Sequence, residues 1–136
     1  YDLDAEKNEL LDIELIHSLK TAKLIQVALT MPYLGNEMYK KTQVLLSNLG
    51  GKIGLAFQIM DDVLEVSSDS VTLGKSNLSD LTNKKMTYVS VYGLEASIQK
   101  AEALSHFCIE QIQENFEVEK TRELIELMHL MVSRSN

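Results

Sequence analysis

A single proline in 136 residues, Pro32, and only six glycines leave this chain almost without turn punctuation. Between those few breakers apolar residues return every three or four positions, the period of a helix with one face turned inward, so the chain is expected to be all-α. The spacing predicts a first helix from about Leu10 to Met31, with Leu11, Leu15, Leu19, Ala22, Ile25 and Leu29 on one face. Pro32 and Gly35 close it, and Asn36 can cap the next helix. That second helix should run from about Glu37 to Val66, where Gly50 and Gly51 each cost roughly 1 kcal/mol of helix propensity and predict a break or kink. Residues 67–86, SSDSVTLGKSNLSDLTNKKM, lose the period and read as a long loop, a length that tends to be functional or disordered. A third helix is expected from about Thr87 to Asn115 on the recurrence of Tyr88, Val91, Leu94, Ile98, Ala101, Leu104, Cys108 and Ile112. A last one, about Glu119 to Val132, should carry Leu124, Leu127, Met128 and Met131 inward.

Composition narrows the class. With 45% apolar and 24% charged residues the chain is an ordinary soluble globular sequence, and its length makes residues 1–136 a single helical domain with a real core. The formal net charge of −7 argues against a nucleic-acid surface, because binding a phosphate backbone needs a basic stripe that no segment supplies. The one cysteine, Cys108, can make no internal disulfide, which fits a reducing cytoplasm, and it is expected to be a buried packing residue. No apolar run reaches the roughly 18 residues of a membrane span. The chain opens on Tyr1 in the acidic stretch YDLDAEKNELLD and reads as a fragment of something longer.

Chemistry gathers around GLAFQIMDDVLEV, where Asp61, Asp62 and Glu65 interrupt an apolar run. On a helix these acids share one edge, with Phe57 and Gln58 a turn below. Like charges at that spacing repel by a few tenths of a kcal/mol unless a cation arrives. Hard oxygen donors so clustered suit Mg²⁺, which keeps waters and binds through one or two carboxylates plus substrate phosphates. Taken alone, the three acids are as well explained as the solvated end of an amphipathic helix. Their company argues further: Lys75, Asp80 and Lys85 stand in the adjoining GKSNLSDLTNKKMTY, and acids for metal beside lysines for phosphate compose a diphosphate site. In IHSLKTAKL, His17, Lys20, Thr21 and Leu24 fall on one helix face, where Lys20 and Thr21 suit a phosphate oxygen, or else are a surface lysine beside a half-buried threonine.

Together these stretches resemble the trans-isoprenyl diphosphate synthases, the family of farnesyl and geranylgeranyl diphosphate synthases, and most of all the bacterial short-chain enzymes. FQIMDDVLE is similar to the family's second aspartate-rich motif, LGKSNLSDLTNKKMTY to its Gly-Lys, Asp, Lys-x-Thr loop, and HSLKT to its Lys-Thr motif, in the family's order. Tyr1-Asp2-Leu3-Asp4 resembles the stretch after its Gly-Gln pair, with Asp2 as the acid. Glu65 departs from the usual Asp, and the first aspartate-rich motif, which lies upstream in the family, is absent. The resemblance therefore implies the C-terminal half of an isoprenyl (terpenoid) synthase helical bundle, inactive by itself. It implies a prenyltransferase that condenses isopentenyl diphosphate with an allylic diphosphate, with Mg²⁺ as cofactor, in a cytoplasmic homodimer. Asp61 would be the metal ligand, with Asp62 and Glu65 orienting metal-bound water. Lys20 and Lys85 would contact the allylic diphosphate and Lys75 would add charge at the mouth. Thr21 and the Gln58 amide oxygen would face the carbocation, and Phe57 would line the apolar wall, unless it is plain core.

Two other readings stand beside this one. Glu14-x-x-His17 and Glu126-x-x-His129 have the spacing of carboxylate di-iron bundles, with Glu65 and Glu95 available as further ligands, but the lysines are then unexplained. A non-catalytic partner subunit of a synthase would not need intact acids and lysines. The class I terpene cyclases, also users of metal and diphosphate, mix Asn, Ser and Glu at a wider spacing than Asp61-Asp62-Val63-Leu64-Glu65.

Overall fold

The computed structural model describes residues 21–72 and 87–133. They form α1 (Lys23–Thr30), α2 (Lys40–Thr72), α3 (Tyr88–Tyr92), α4 (Leu94–Asn115) and α5 (Val118–Ser133), with 3-10 turns at Met31–Tyr33 and Glu37–Tyr39. No strand occurs among the described residues, in keeping with the all-α expectation. The 33-residue α2 is the axis against which the other helices pack.

The core forms two layers along α2. In one, Ala56, Ile59, Met60 and Val63 meet Tyr88 of α3, Ala101 of α4 and Met131 of α5. In the other, Leu49 and Ile53 meet Cys108, Ile109 and Ile112 of α4 and Met128 of α5. Each side is built from residues three or four apart, which is why the helical period is readable in the sequence.

Four expectations are corrected. Of the break or kink expected at Gly50 and Gly51, a break does not occur; α2 runs through both glycines without interruption. Their use is proximity, because α1 crosses here so closely that a Cβ on Gly50 would lie 2.8 Å from the Gln26 Cα and one on Gly54 would overlap the Ala22 backbone. The propensity lost at glycine is offset by the packing it permits. Next, α2 continues past Val66 to Thr72, so the first six residues of the expected loop are helical. Ser67 fits there by donating its hydroxyl to the Val63 carbonyl at 2.8 Å.

The third correction is a break where none was expected. Gly93, at φ +86°, divides the predicted 87–115 helix into α3 and α4, a backbone conformation that glycine adopts without steric cost. Val91 and Leu94, on either side of it, are accordingly exposed. Last, Leu127 does not point into the core and is exposed at 60%, although Met128 and Met131 are buried as expected.

The other elements agree with their sequence signals. α1 ends at Thr30 and the chain tightens into the turn Met31–Tyr33, which tolerates Pro32 because the first amides of a helical turn have no partner to lose. The 3-10 turn after Asn36 is closed by the Tyr39 amide donating to the Asn36 carbonyl at 3.0 Å. α3 begins with a capping box, in which Thr87 and Ser90 exchange backbone and side-chain hydrogen bonds.

Cys108 is fully buried, as expected. Burial pushes its thiol from the ordinary 9.0 up to about 11, with Lys52 pulling it partly back. A thiol that keeps its proton longer in the fold than in the unfolded chain stabilises the fold fully below about pH 9, and that contribution is lost as pH rises from about 9 to about 11. Denaturant titrations across this window should show the native protein losing stability relative to Cys108→Ala, by at most roughly 2–3 kcal/mol. Parallel curves for the two proteins would refute it.

Candidate active site

The close crossing of α1 on α2 does more than fill space. Gly50, Gly54 and Gln58 recur every four residues on the side of α2 that meets Ala22 and Gln26, so the contact that brings Ala22 onto Gly54 carries Thr21 to Gln58. The Gln58 Nε2 donates to the Thr21 Oγ1 at 2.8 Å, linking residues 37 apart in sequence. Gln58 is 3% exposed, and a buried amide needs such a partner. An amide whose nitrogen is committed to Thr21 presents its carbonyl oxygen, the negative end of its dipole, on the other side. The backbone at Thr21 and Ala22 is wound as π-helix, a local widening frequent where a helix presents a functional group.

Phe57 and Thr21 open onto one apolar pocket of about 250 Å³, with Ile25 of α1, Ile53 of α2, and Leu124, Leu127, Met128 and Met131 of α5. This explains Leu127: its exposed side chain forms a wall of the pocket. Phe57, 38% exposed, is a lining residue and not plain core. A second apolar groove, at Pro32, Tyr33 and Leu46, lies far from the acids, since Leu46 and Asp61 are separated by about 22 Å of helix.

Asp61 and Glu65 continue the Phe57 stripe at intervals of four residues and both are exposed. Asp62 is turned about 100° from Asp61 and about 60° from Glu65 around the helix. It is half-buried, and its Oδ2 accepts the Tyr88 backbone N–H at 2.8 Å. Among the described residues no three His, Cys, Asp or Glu side chains come together as a metal-holding group, so these acids line an edge and do not enclose a point. That arrangement fits Mg²⁺, which takes one or two carboxylates and fills its remaining positions with water and substrate oxygens. It does not supply a closed, all-protein cage.

Thr21, Phe57, Gln58 and the three acids are thus on neighbouring turns of two packed helices. Lys20, Lys75 and Lys85, with Asp2, Asp80, Glu14 and His17, lie outside the described residues. The remaining di-iron candidates are dispersed: Glu126 and His129 are exposed on α5, and Glu95 is exposed in the first turn of α4. The Gln58–Thr21 bond and the Asp62–Tyr88 bond have no signature in the sequence. Thr87-x-x-Ser90 marks where α3 begins, but nothing local says that an aspartate 26 residues upstream meets it.

Comparison with known proteins agrees with the geometry. The Polyprenyl synthetase family model matches residues 1–128. Farnesyl diphosphate synthase of Escherichia coli is 41% identical over 106 residues, 76% of this chain and 36% of that protein. The Haemophilus influenzae farnesyl diphosphate synthase is 34% identical over 116 residues, 82% of this chain and 39% of its own length. Geranylgeranyl pyrophosphate synthase 12, chloroplastic, of Arabidopsis thaliana is 33% identical over 137 aligned positions, 100% of this chain and 36% of that protein. The chain therefore spans under two fifths to about two fifths of the relatives it matches. The all-α bundle, the order of its motifs and these similarities set the di-iron reading aside, and the chain belongs to the polyprenyl synthetase family.

Proposed function

We propose that this chain carries the second metal-and-diphosphate half of a prenyltransferase active site. The complete enzyme joins isopentenyl diphosphate to an allylic diphosphate and releases a short-chain isoprenyl diphosphate such as farnesyl or geranylgeranyl diphosphate. One observation carries the reading. Phe57 opens on an apolar pocket, and Asp61 and Glu65 stand on the same stripe of α2 about 6 and 12 Å further along. A molecule with a hydrocarbon tail and a multiply charged head matches that order.

In the reaction the allylic C–O bond breaks and pyrophosphate leaves with the electron pair. The double bond of isopentenyl diphosphate then forms the new C–C bond, and loss of a proton restores an alkene. Bound Mg²⁺ would supply the Lewis-acid neutralisation that makes pyrophosphate leave, worth several kcal/mol. Asp61, on the exposed edge, is the first residue to hold it, with Glu65 one turn on. Lys20 and Lys85, assigned on sequence alone, are placed on the allylic diphosphate and Lys75 at the mouth, where a compact ammonium suits phosphate. The Thr21 hydroxyl and the Gln58 carbonyl oxygen offer dipoles to the cation without a nucleophile strong enough to trap it. The apolar wall keeps out the water that would quench the cation. A cytoplasmic homodimer completes the proposal, and no helix among the described residues is long and apolar enough to cross a membrane.

The test is the incorporation of labelled isopentenyl diphosphate into chloroform-soluble product after phosphatase treatment. The assay uses the full-length protein with allylic diphosphates of several lengths, with Mg²⁺ and with EDTA. Metal-dependent product is expected. Its absence with every allylic partner would overturn the reading. The 136-residue chain alone should give none, and turnover by it would sink the half-site picture.

A further inference from the structure

Asp61 and Asp62 are adjacent and chemically identical, yet their surroundings differ. Asp61 is exposed on the pocket stripe; Asp62 is half-buried and its carboxylate bonds the Tyr88 N–H at 2.8 Å. Tyr88 is the first residue of α3, and the capping box there employs other groups. Thr87 Oγ1 accepts the Ser90 N–H at 3.1 Å, and the Thr87 N–H donates to Ser90 Oγ at 2.9 Å. The box therefore leaves the Tyr88 amide to be satisfied from outside the helix, and Asp62 satisfies it from α2.

Around that bond the two segments are joined by packing as well. The Tyr88 side chain is 3% exposed, in the same core cluster as Val63, the neighbour of Asp62, and its ring lies 4.5 Å from that of Tyr92. Beyond Tyr92, Gly93 turns the chain into α4, which packs along α2. A backbone amide given to a carboxylate is a charge-assisted hydrogen bond, stronger than a neutral one. It therefore fixes the start of α3 against the acid edge.

The geometry points to Asp62 as a positioning residue and not one of the metal ligands. It holds the start of α3 at Thr87–Tyr88 against α2, and so sets the register between that segment and the Asp61–Glu65 edge. This deepens, and rests on, the prenyltransferase reading. Its chemical signature is that the Asp62 oxygen acts as an acceptor for an N–H, a task that an asparagine carbonyl oxygen can also perform. A ligand carboxylate replaced in that way loses the charge that draws the cation, so more Mg²⁺ is needed to fill the site.

The test compares Asp62→Asn and Asp62→Ala in the full-length protein by two measurements. Amide hydrogen exchange is read without substrate or Mg²⁺. Asp62→Ala should speed Tyr88 exchange tenfold or more while leaving Leu49 and Ile112 in the core as they were, and Asp62→Asn should stay within about threefold of the native rate. In steady-state kinetics Asp62→Asn should keep kcat/KM within about fivefold and leave the half-saturating Mg²⁺ concentration in place, whereas Asp62→Ala loses kcat/KM by tens of fold. The proposal is overturned if Asp62→Asn is as damaging as Asp62→Ala and raises the Mg²⁺ requirement tenfold. It is also overturned if Tyr88 exchange is indifferent to Asp62→Ala. Should the native protein prove inactive while Tyr88 exchange responds as stated, the prenyltransferase reading fails and the anchor stands.

Discussion

If the complete protein is the prenyltransferase proposed above, Asp61→Ala should lower its turnover by roughly 100- to 1,000-fold, the usual effect of deleting one group that stabilises developing charge. The fold should not suffer. Asp61 is exposed and four residues from Glu65, so removing it relieves a like-charge pair and leaves α2 unchanged or more stable by a few tenths of a kcal/mol. Opposite movements of rate and melting temperature distinguish a metal-holding carboxylate from a structural one. Steady-state kinetics over a Mg²⁺ series, beside thermal melts, read both. Near-normal rates at all metal concentrations would remove Asp61 from the mechanism.

The second large effect is in stability and comes from glycines that look interchangeable. Gly54→Ala gains about 1 kcal/mol of helix propensity, yet its Cβ would meet the Ala22 backbone, which can yield only by moving α1. The overpacking should outweigh the gain and leave the protein less stable by roughly 1–2 kcal/mol. Gly51→Ala meets only the end of the Gln26 side chain, at 3.0 Å. That amide donates to the Ser47 carbonyl at 2.9 Å, and it can move. This second change should be neutral or stabilising by up to about 1 kcal/mol. Urea titrations of the two variants should shift in opposite directions, and a shift in the same direction would contradict the close crossing. Because that crossing holds Thr21 on Gln58, Gly54→Ala should also lower kcat in the complete enzyme, while Gly51→Ala should not.

How far the sequence can be read varies with the reach of the interaction. The helical period of Leu49, Ile53, Ala56, Met60 and Val63 locates α2, because burial on one side of a helix repeats locally. Cys108 is legible as packing for the same reason. Gly93 is not legible as a break, since apolar residues continue on both sides of it, and one glycine at positive φ ends a helix without disturbing that pattern. Gly50 and Gly51 mislead the other way. A penalty to the isolated helix is visible in the sequence, but the compensating approach of Ala22 and Gln26 belongs to another segment.

The candidate site divides along the same line. The identities of Asp61, Asp62 and Glu65, their spacing on a helix, and their resemblance to a diphosphate-binding motif were determined by sequence alone, because chemistry and helical geometry are local. Which acid faces outward, which one bonds a distant amide, and that Gln58 gives its nitrogen to Thr21 were decided only by the tertiary structure. Adjacent residues on a helix point about 100° apart, so neighbours in sequence meet different surroundings, and those surroundings are made by segments tens of residues away.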